Sequence, residues 1–350
     1  MNVNLQSIRR IAILRLSALG DVCMVVPVIR TLQKALPDAK ITWIISRPAY
    51  DLVEGMDGVE FIVIDKPRGL GDYLALRKRF KHEQFDVLLA MQAALRANLI
   101  YPFIHAPLKI GFDEQRARDK QAWFTNATIP FAKEHLMDSF LSFAKSLGIK
   151  ESVIEWRLPL GDGERDWARQ QLVGGTGRVV IVNPAASKAE RNWPAENYVH
   201  VITLLQEKGI NVILTGGAHP VEVALINAIE EQLVTPVKNL VGQTSPKQLA
   251  ALIEAADCVL APDTGPVHMA VAVGTPVVGL YAVAPSWLSG PYLHNEFVID
   301  RYNEAVCEFL DKDPETVEWG TRVHDERAMQ LITVDDVLER LSAVLEGQVA

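Results

Sequence analysis

Residues 257–279 constrain the fold more than any other stretch of this chain. An apolar strand run ends at Ala261-Pro262, a polar turn follows at Asp263-Thr264-Gly265, and a short apolar helix leads to Gly274-Thr275-Pro276 and a second valine-rich strand. A helix that starts after such a turn presents backbone N–H groups and the positive end of its dipole, which suits the turn to hold a phosphate. Capping of the helix by Asp263 or Thr264 is the alternative.

The same alternation of strand and helix runs through the whole chain. It predicts an α/β fold in which parallel, doubly wound sheets carry helices on both faces. The predicted strands are residues 11–16, 41–46, 61–65, 87–91, 108–112, 179–182, 212–215 and 237–241, together with the two strands of the opening stretch. The predicted helices are residues 22–36, 73–82, 136–147, 194–208, 246–256 and a final helix that starts at Thr333 and ends near Glu346.

A length of 350 residues indicates about two domains. In residues 151–177, Gly161-Asp162-Gly163 and Gly174-Gly175-Thr176-Gly177 bracket a polar helical stretch, and this composition is typical of a flexible linker. We therefore predict two Rossmann-like domains, residues 1–165 and 166–330, followed by a C-terminal helix within 331–350. In this architecture a ligand is expected in the cleft between the domains, at the carboxyl ends of the strands.

Composition favours a globular protein of the cytoplasm. The amino-terminal residues lack the apolar core of a signal peptide, and Cys23, Cys258 and Cys307 are too far apart for a disulfide framework or a zinc site. The apolar span 267–288 is long enough to suggest a membrane helix, but Gly274-Thr275-Pro276 interrupts it.

Charge is divided unevenly between the two halves. Residues 1–175 hold 24 Lys and Arg against 20 Asp and Glu, whereas residues 176–350 hold 11 against 23. The excess in the first half is too small to predict nucleic-acid binding. Its basic clusters, at 77–81 and 116–120, could also be solvated helix faces.

The first strand leads into the loop Ser17-Ala18-Leu19-Gly20-Asp21. This loop has neither the three glycines of a dinucleotide-binding loop nor the lysine of a P-loop. It does place the carboxylate of Asp21 at the carboxyl end of a strand, where open α/β sheets carry their chemistry. Asp21 could act as a general base or could simply cap the following helix.

In the second half, cations and hydroxyls follow two different strands. Ser187, Lys188 and Arg191 come from one loop, and Thr264, the backbone of Gly265 and His268 come from the other. Such groups, converging at a helix amino terminus, predict a site for an anion, most plausibly a diphosphate.

Each of these assignments has a structural alternative. Lys188 and Arg191 could lie on an ordinary surface loop, and His268 could be a core histidine. Asp263 could cap the helix or orient Lys188, Arg191 or a sugar hydroxyl. No carboxylate cluster of metal-site type is evident, so no metal and no cofactor is expected.

Together these predictions describe a glycosyltransferase that inverts the anomeric centre without a metal. Asp21 would take the proton of the attacking hydroxyl, and the cations and amides of the second half would stabilise the diphosphate leaving group.

Three motifs resemble those of bacterial glycosyltransferase family 9, the lipopolysaccharide heptosyltransferases. They are residues 17–21, the stretch from Asn183-Pro184-Ala185-Ala186-Ser187 to Arg191-Asn192-Trp193-Pro194, and Asp263-Thr264-Gly265-Pro266-Val267-His268-Met269-Ala270. The resemblance covers nearly the whole chain. It implies the GT-B fold, with the acceptor on the N-terminal domain, the donor on the C-terminal domain, and ADP-heptose as the typical donor. It also implies a lipid-linked or oligosaccharide acceptor of the lipopolysaccharide core, within reach of the inner membrane.

The resemblance also assigns roles to single residues. Asp21 takes the place of the catalytic base. The donor site is then formed by Ser187, Lys188, Arg191, Thr244, Ser245, Asp263, Thr264, Gly265 and His268, with Thr244 and Ser245 near the adenine. Acceptor-binding candidates are Gln92 and Arg96, near the fourth strand, and Arg118 of the second basic cluster.

The sequence departs from the family pattern at Tyr281-Ala282-Val283-Ala284-Pro285 and keeps only Cys307 of a cysteine-rich segment. These departures leave open a family transferase with another nucleotide sugar or glycan acceptor. Two rival functions are a nucleotide-sugar epimerase, which shares the two-domain architecture but needs further acid/base groups at the sugar, and a protein that binds the donor without turnover. Retention of Asp21 argues against the last of these, since donor binding alone does not need that carboxylate.

Overall fold

The computed structural model describes residues 5–172 and 177–347. Its contacts divide the chain into two compact units, one ending at Pro159 and the other beginning at Leu160. Each unit contains one six-stranded sheet in which every pairing is parallel. The predicted α/β class is therefore confirmed.

The first unit has the strand order 3-2-1-4-5-6, the order of a Rossmann sheet. Its strands are β1 (Arg10–Leu14), β2 (Lys40–Ile45), β3 (Val59–Val63), β4 (Val87–Ala90), β5 (Leu108–Gly111) and β6 (Ala127–Thr128). Its helices are α1 (Leu19–Ala35), α2 (Arg47–Val53), α3 (Leu70–Phe80), α4 (Leu95–Asn98) and α5 (Leu136–Ser146).

Strand β1 lies at the centre of this sheet because its residues are apolar on both faces. Ile11 pairs with Ile41 of β2 on one side and with Val87 of β4 on the other. All four residues from Ile11 to Leu14 are fully buried. Since parallel strands end at a common edge, the loops after β1, β2, β3 and β4 lie together, and the Asp21 loop is among them.

The second unit repeats the same topology. Its strands, β7 (Val179–Val182), β8 (Asn211–Leu214), β9 (Lys238–Asn239), β10 (Cys258–Pro262), β11 (Val277–Tyr281) and β12 (Ile299–Asp300), lie in the order 12-11-10-7-8-9. Its helices are α6 (Asp162–Leu172), α7 (Ala195–Glu207), α8 (Pro220–Glu230), α9 (Pro246–Glu254), α10 (Gly265–Val273), α11 (Ser286–Ser289), α12 (Tyr302–Leu310) and α13 (Val334–Glu346).

The stretch 257–279 folds as predicted, into strand β10, helix α10 and strand β11. Val259 pairs with Ile181 of β7 and with Val277 of β11, so β10 occupies the centre of the second sheet. Gly274 ends the helix in the left-handed region, at φ 81°, which a residue with a Cβ adopts only at a cost. Among the residues described, no helix has the length and apolar character needed to cross a bilayer.

The boundary between the two units falls inside the predicted linker 151–177, and the polar helical stretch expected there is α6, but the described part of the segment is held by fixed contacts. The indole of Trp156 donates a hydrogen bond to the Cys23 carbonyl of α1 at 2.9 Å, and Thr31 accepts the Val153 N–H at 2.8 Å. Helix α6 packs on α9, where Arg165 pairs with Glu254 at 2.7 Å. The predicted boundary after residue 165 falls inside α6. Gly174, Gly175 and Thr176 lie outside the described residues.

Other differences arise at the edges of the sheets. The predicted strand 237–241 is reduced to Lys238–Asn239, because it pairs with β8 alone and turns at Gly242. Helix α13 starts as predicted, with Thr333 and Asp336 forming a capping box. Seven elements were missed, mostly short or edge elements with weak periodicity: α2, α4, α8, α11, α12, β6 and β12.

Candidate active site

Asp21 lies in the first turn of α1, just beyond the carboxyl end of β1. Its Oδ2 accepts the backbone N–H of Ala18 at 3.0 Å and forms an ion pair with Arg15. The contacts described for Asp21 both use Oδ2, which leaves Oδ1 as the oxygen that could receive a proton. Helix capping is therefore one role of Asp21, and it is compatible with a second, chemical role.

Arg15 was not recognised from the sequence, although an arginine directly after an apolar strand is a visible signal. Its Nη1 donates to the Met91 carbonyl at 2.6 Å, and its guanidinium lies 5.1 Å from the centre of the Phe140 ring. The side chain is 13% exposed. These contacts fix the guanidinium against the sheet edge, and Arg15 in turn fixes Asp21.

Cys23, close to Asp21 in α1, is not a competing nucleophile. Complete burial raises the pKa of its thiol to about 12, and the nearby Asp21 carboxylate adds to this rise. A thiol protonated at neutral pH is a poor nucleophile.

A cavity of about 860 Å³ opens at the carboxyl edge of the first sheet, next to the Asp21 loop. Ser17, Ala18 and Leu19 form one wall. Its charged lining is mainly basic and comes from four separate parts of the chain: Arg47, Lys66, Arg68, Arg79 and Arg96, with Asp65 and Asp72 as the acidic members.

The three predicted acceptor residues have different positions. Arg96 lines the cavity. Gln92 accepts the backbone N–H of Leu16 at 2.7 Å through its side-chain oxygen, so it supports the loop after β1. Arg118 is exposed, and its carbonyl accepts a hydrogen bond from Asn98 at 3.0 Å. Neither Gln92 nor Arg118 is among the cavity-lining residues.

In the second unit, one ion pair joins the two predicted donor loops. Arg191, at the end of a 3-10 turn after β7, places Nη1 3.3 Å from Asp263 Oδ2 and 3.3 Å from the Asp263 carbonyl oxygen. The two side chains are 14% and 13% exposed. Asp263 Oδ1 also accepts the Ser289 hydroxyl at 3.4 Å. Ser187 and Lys188, on the same loop as Arg191, are exposed.

Capping of α10 by Thr264 is excluded, because Thr264 stands at the N-cap position and its side chain makes no capping hydrogen bond. The described contacts of the Asp263 carboxylate go to Arg191 and Ser289 instead. The positive end of α10, starting at Gly265, therefore lies beside a guanidinium. His268, one turn further on, is 8% exposed, as expected for the core-histidine alternative.

Thr244 and Ser245 lie between β9 and α9. The Ser245 hydroxyl accepts the Gln248 N–H at 3.2 Å, and the Gln248 side chain accepts the Ser245 N–H at 2.9 Å. Ser245 thus forms the predicted helix cap, while Thr244 is half-buried beside it.

Tyr281, at the end of β11, was not recognised as part of this region. Its hydroxyl donates to the Ser289 carbonyl at 3.3 Å, behind the residue that contacts Asp263. Burial raises the pKa of Tyr281 well above its usual value, and the carboxylate of Asp263 contributes. Within residues 5–172 and 177–347, no group of three His, Cys, Asp or Glu side chains is placed to hold a metal ion.

Two doubly wound units, each carrying polar groups at the carboxyl edge of its sheet, define the chain as a protein of the GT-B fold class. The solved structure of a family 9 glycosyltransferase from Veillonella parvula has the same fold, with a TM-score of 0.81 and 21% identity over 99% of this chain and 100% of that one. The Escherichia coli heptosyltransferase WaaC, solved with ADP, gives a TM-score of 0.71 and 22% identity, covering 96% of this chain and 99% of that one.

The particular family follows from sequence. The profile of glycosyltransferase family 9 (heptosyltransferase) matches residues 73–316. The lipopolysaccharide core heptosyltransferase OpsX of Haemophilus influenzae is 34% identical over 335 residues, which are 95% of this chain and 96% of that protein. The chain belongs to glycosyltransferase family 9, and the resemblance found in the motifs is confirmed.

Proposed function

We propose that this enzyme transfers heptose from ADP-heptose to a lipopolysaccharide core acceptor, in the cytoplasm, by an inverting displacement that needs no metal. The proposal draws on the Haemophilus relative, which carries the name lipopolysaccharide core heptosyltransferase, and on the E. coli heptosyltransferase solved with ADP. The structural observation that carries it is the Arg191–Asp263 pair beside the uncapped amino terminus of α10.

The donor diphosphate would be held by positive groups of the second unit. A helix amino terminus and an adjacent guanidinium are the groups that bind phosphate in proteins. Lys188 and Ser187 are exposed on the loop that carries Arg191 and can add an ammonium and a hydroxyl. Asp263 orients Arg191, and its carboxylate can also accept a hydroxyl of the sugar. Thr264, Gly265 and His268 belong to the same site, while Thr244 and Ser245 would lie near the adenine.

The bond-making step would use Asp21 of the first unit. The acceptor hydroxyl attacks the anomeric carbon, the bond from that carbon to the diphosphate oxygen breaks, and ADP leaves with the electron pair. Asp21 Oδ1 takes the hydroxyl proton, while Arg15 and the Ala18 N–H hold Oδ2 in place. One displacement of this kind inverts the anomeric centre. The developing charge on ADP meets Arg191, Lys188 and α10, which would replace a metal ion.

The acceptor would occupy the basic cavity next to the Asp21 loop. Its volume of about 860 Å³ is in the range of small-molecule sites, and its cations suit a phosphorylated, acidic saccharide. Arg96 is the predicted acceptor residue that lines it. Gln92 would act on the acceptor only through the loop that it supports, and Arg118 would bind charged groups outside the cavity.

A donor panel tests this proposal. We expect ADP-heptose and ADP to raise the thermal unfolding temperature, and UDP- and GDP-sugars to have little effect. Transfer to a deacylated oligosaccharide of the lipopolysaccharide core, followed by NMR of the anomeric proton, should show one product of inverted configuration in the presence of EDTA. Stabilisation by UDP-sugars alone would refute the heptosyl donor, and isomerisation of the donor without an acceptor would identify an epimerase instead.

A further inference from the structure

Helix α3 carries a second apolar stripe that does not face the core. Leu76 and Phe80 are its buried side chains. On another face, Leu70 is 77% exposed and Leu74 is 55% exposed, four residues apart. Lys78, four residues further on, is also exposed and continues the same face. A soluble helix usually places polar residues there, so this face is suited to contact something other than water.

The exposed apolar face continues onto α4. The Tyr73 hydroxyl of α3 donates to the Arg96 carbonyl of α4 at 3.3 Å, so the two helices adjoin. Leu95 of α4 is 55% exposed, and Leu99, directly after it, is 38% exposed.

A third segment, residues 118–123, extends the surface. Asp119 Oδ2 accepts the Leu95 N–H at 2.8 Å, which ties this segment to α4. Trp123 is 73% exposed, and the ammonium of Lys120 lies 4.3 Å from the centre of its ring. Five of the ten large apolar side chains exposed among the described residues therefore fall on these three adjoining segments: Leu70, Leu74, Leu95, Leu99 and Trp123. We call this area, with the cations around it, the apolar–basic surface.

Cations border the apolar residues on this surface. Arg77, Lys78, Lys81, Arg118 and Lys120 are all exposed. The two acidic residues of these segments, Asp72 and Asp119, use their carboxylates to accept backbone N–H groups at the starts of α3 and α4. Five cations against two carboxylates leave the surface with a net positive charge.

We propose that the apolar–basic surface docks this enzyme onto a bilayer of anionic phospholipid. Leucines beside lysines and arginines, with a tryptophan at the edge, match the acyl boundary, the anionic headgroups and the interface of such a bilayer. The location has a consequence that rests on the proposed function. Because α3 and α4 also line the acceptor cavity, through Asp72, Leu76, Arg79 and Arg96, docking brings the cavity close to the membrane in which a lipid-linked acceptor is anchored.

Vesicle sedimentation with the full-length enzyme tests the surface without donor or acceptor. The vesicles are phosphatidylcholine alone or mixed with phosphatidylglycerol. The wild type should bind the anionic vesicles, bind the neutral ones weakly, and be released by high salt. Leu70→Ser/Leu74→Ser and Arg77→Gln/Lys78→Gln should each weaken binding about tenfold or more. Val234→Ser/Leu293→Ser and Lys208→Gln/Lys312→Gln, at exposed positions of the second unit, are matched controls and should bind as the wild type.

Three further measurements separate the explanations. All four variants should unfold at the wild-type temperature and transfer heptose to a deacylated acceptor at the wild-type rate, because the substituted residues do not line the cavity. Brominated phospholipid should quench tryptophan fluorescence less in Trp123→Phe. Unchanged vesicle binding by the leucine and cation variants would overturn the membrane surface and leave the enzymatic proposal intact. The membrane surface would also be overturned if ultracentrifugation showed a dimer of the wild type that the Leu70→Ser/Leu74→Ser variant does not form, because the surface would then be a subunit interface.

Discussion

Substitution of Arg191 by methionine removes the guanidinium from the pair that joins the two proposed donor loops while keeping an apolar stem. Asp263 then loses a partner at 3.3 Å and keeps the Ser289 hydroxyl at 3.4 Å. Breaking a fully buried ion pair costs about 3–5 kcal/mol. Because these side chains retain 14% and 13% exposure, we expect the free energy of unfolding to fall by about 2 kcal/mol.

The same change should weaken donor binding. A charge-assisted hydrogen bond to phosphate contributes about 2 kcal/mol, so the Kd for ADP should rise about thirtyfold. Asp263→Asn should have the opposite effect on the affinity for ADP. It removes one negative charge near the diphosphate, a change of about 1 kcal/mol at solvent-like dielectric, so ADP should bind a few times more tightly. If the carboxylate accepts a sugar hydroxyl, ADP-heptose should gain less affinity than ADP.

Isothermal titration with ADP and ADP-heptose measures these affinities, and urea denaturation measures the stabilities. The double variant Arg191→Met/Asp263→Asn should be more stable than the sum of the two single losses implies, because each single variant leaves one partner of the pair without its counterpart. Arg169→Met is the matched control, because Arg169 pairs with Asp166 on exposed α6 and should contribute only about 0–1 kcal/mol. A stable Arg191→Met that binds ADP like the wild type would refute the donor site as described.

Four further outcomes follow from the structure. Asp21→Asn should lower kcat about 10²–10⁴-fold while the Kd for ADP stays unchanged, as measured by initial rates and titration; equal loss of both would contradict the general-base role. A thiol reagent should modify only the exposed Cys307 in the native enzyme and all three cysteines after unfolding. Burial raises the pKa of Cys23 and Cys258 from about 9 to about 12. The contribution of these two thiols to the free energy of unfolding should therefore be constant below pH 9 and be lost between pH 9 and 12, as measured by urea denaturation at each pH. Trp193→Phe should lower the free energy of unfolding by about 1–2 kcal/mol in urea, because a buried indole N–H···O bond of 2.9 Å is lost.

Much of the fold could be predicted because its signals are local. Central strands such as β1, β7 and β10 are continuous apolar runs, since they are covered on both faces. The cap at Ser245 was also visible, because its pattern is local. A hydroxyl is followed directly by a proline, and a glutamine comes three residues after the cap. The edge strands β6 and β12, of two residues each, carry too little pattern to be recognised.

The packing of the linker segment could not be predicted, for a related reason. Glycines and polar residues indicate a loop, but they do not report what the segment packs against. Trp156 is held by a carbonyl of α1, 133 positions away in the chain. A long-range contact of this kind leaves no periodic trace in the segment itself.

For the site, the sequence alone proposed the loops and the residue types: Asp21 after β1, Arg191 after β7, and Asp263 with Thr264 before α10. Only the tertiary structure decided what these groups do to one another. Arg191 forms an ion pair with Asp263, the Thr264 side chain makes no capping hydrogen bond, and Arg15 forms an ion pair with Asp21. The tertiary structure also collects the basic cavity and the apolar–basic surface from segments far apart in sequence. The physical reason is that hydrogen bonds, ion pairs and solvent exposure depend on distance in space, whereas a sequence pattern reports only spacing along one strand or helix.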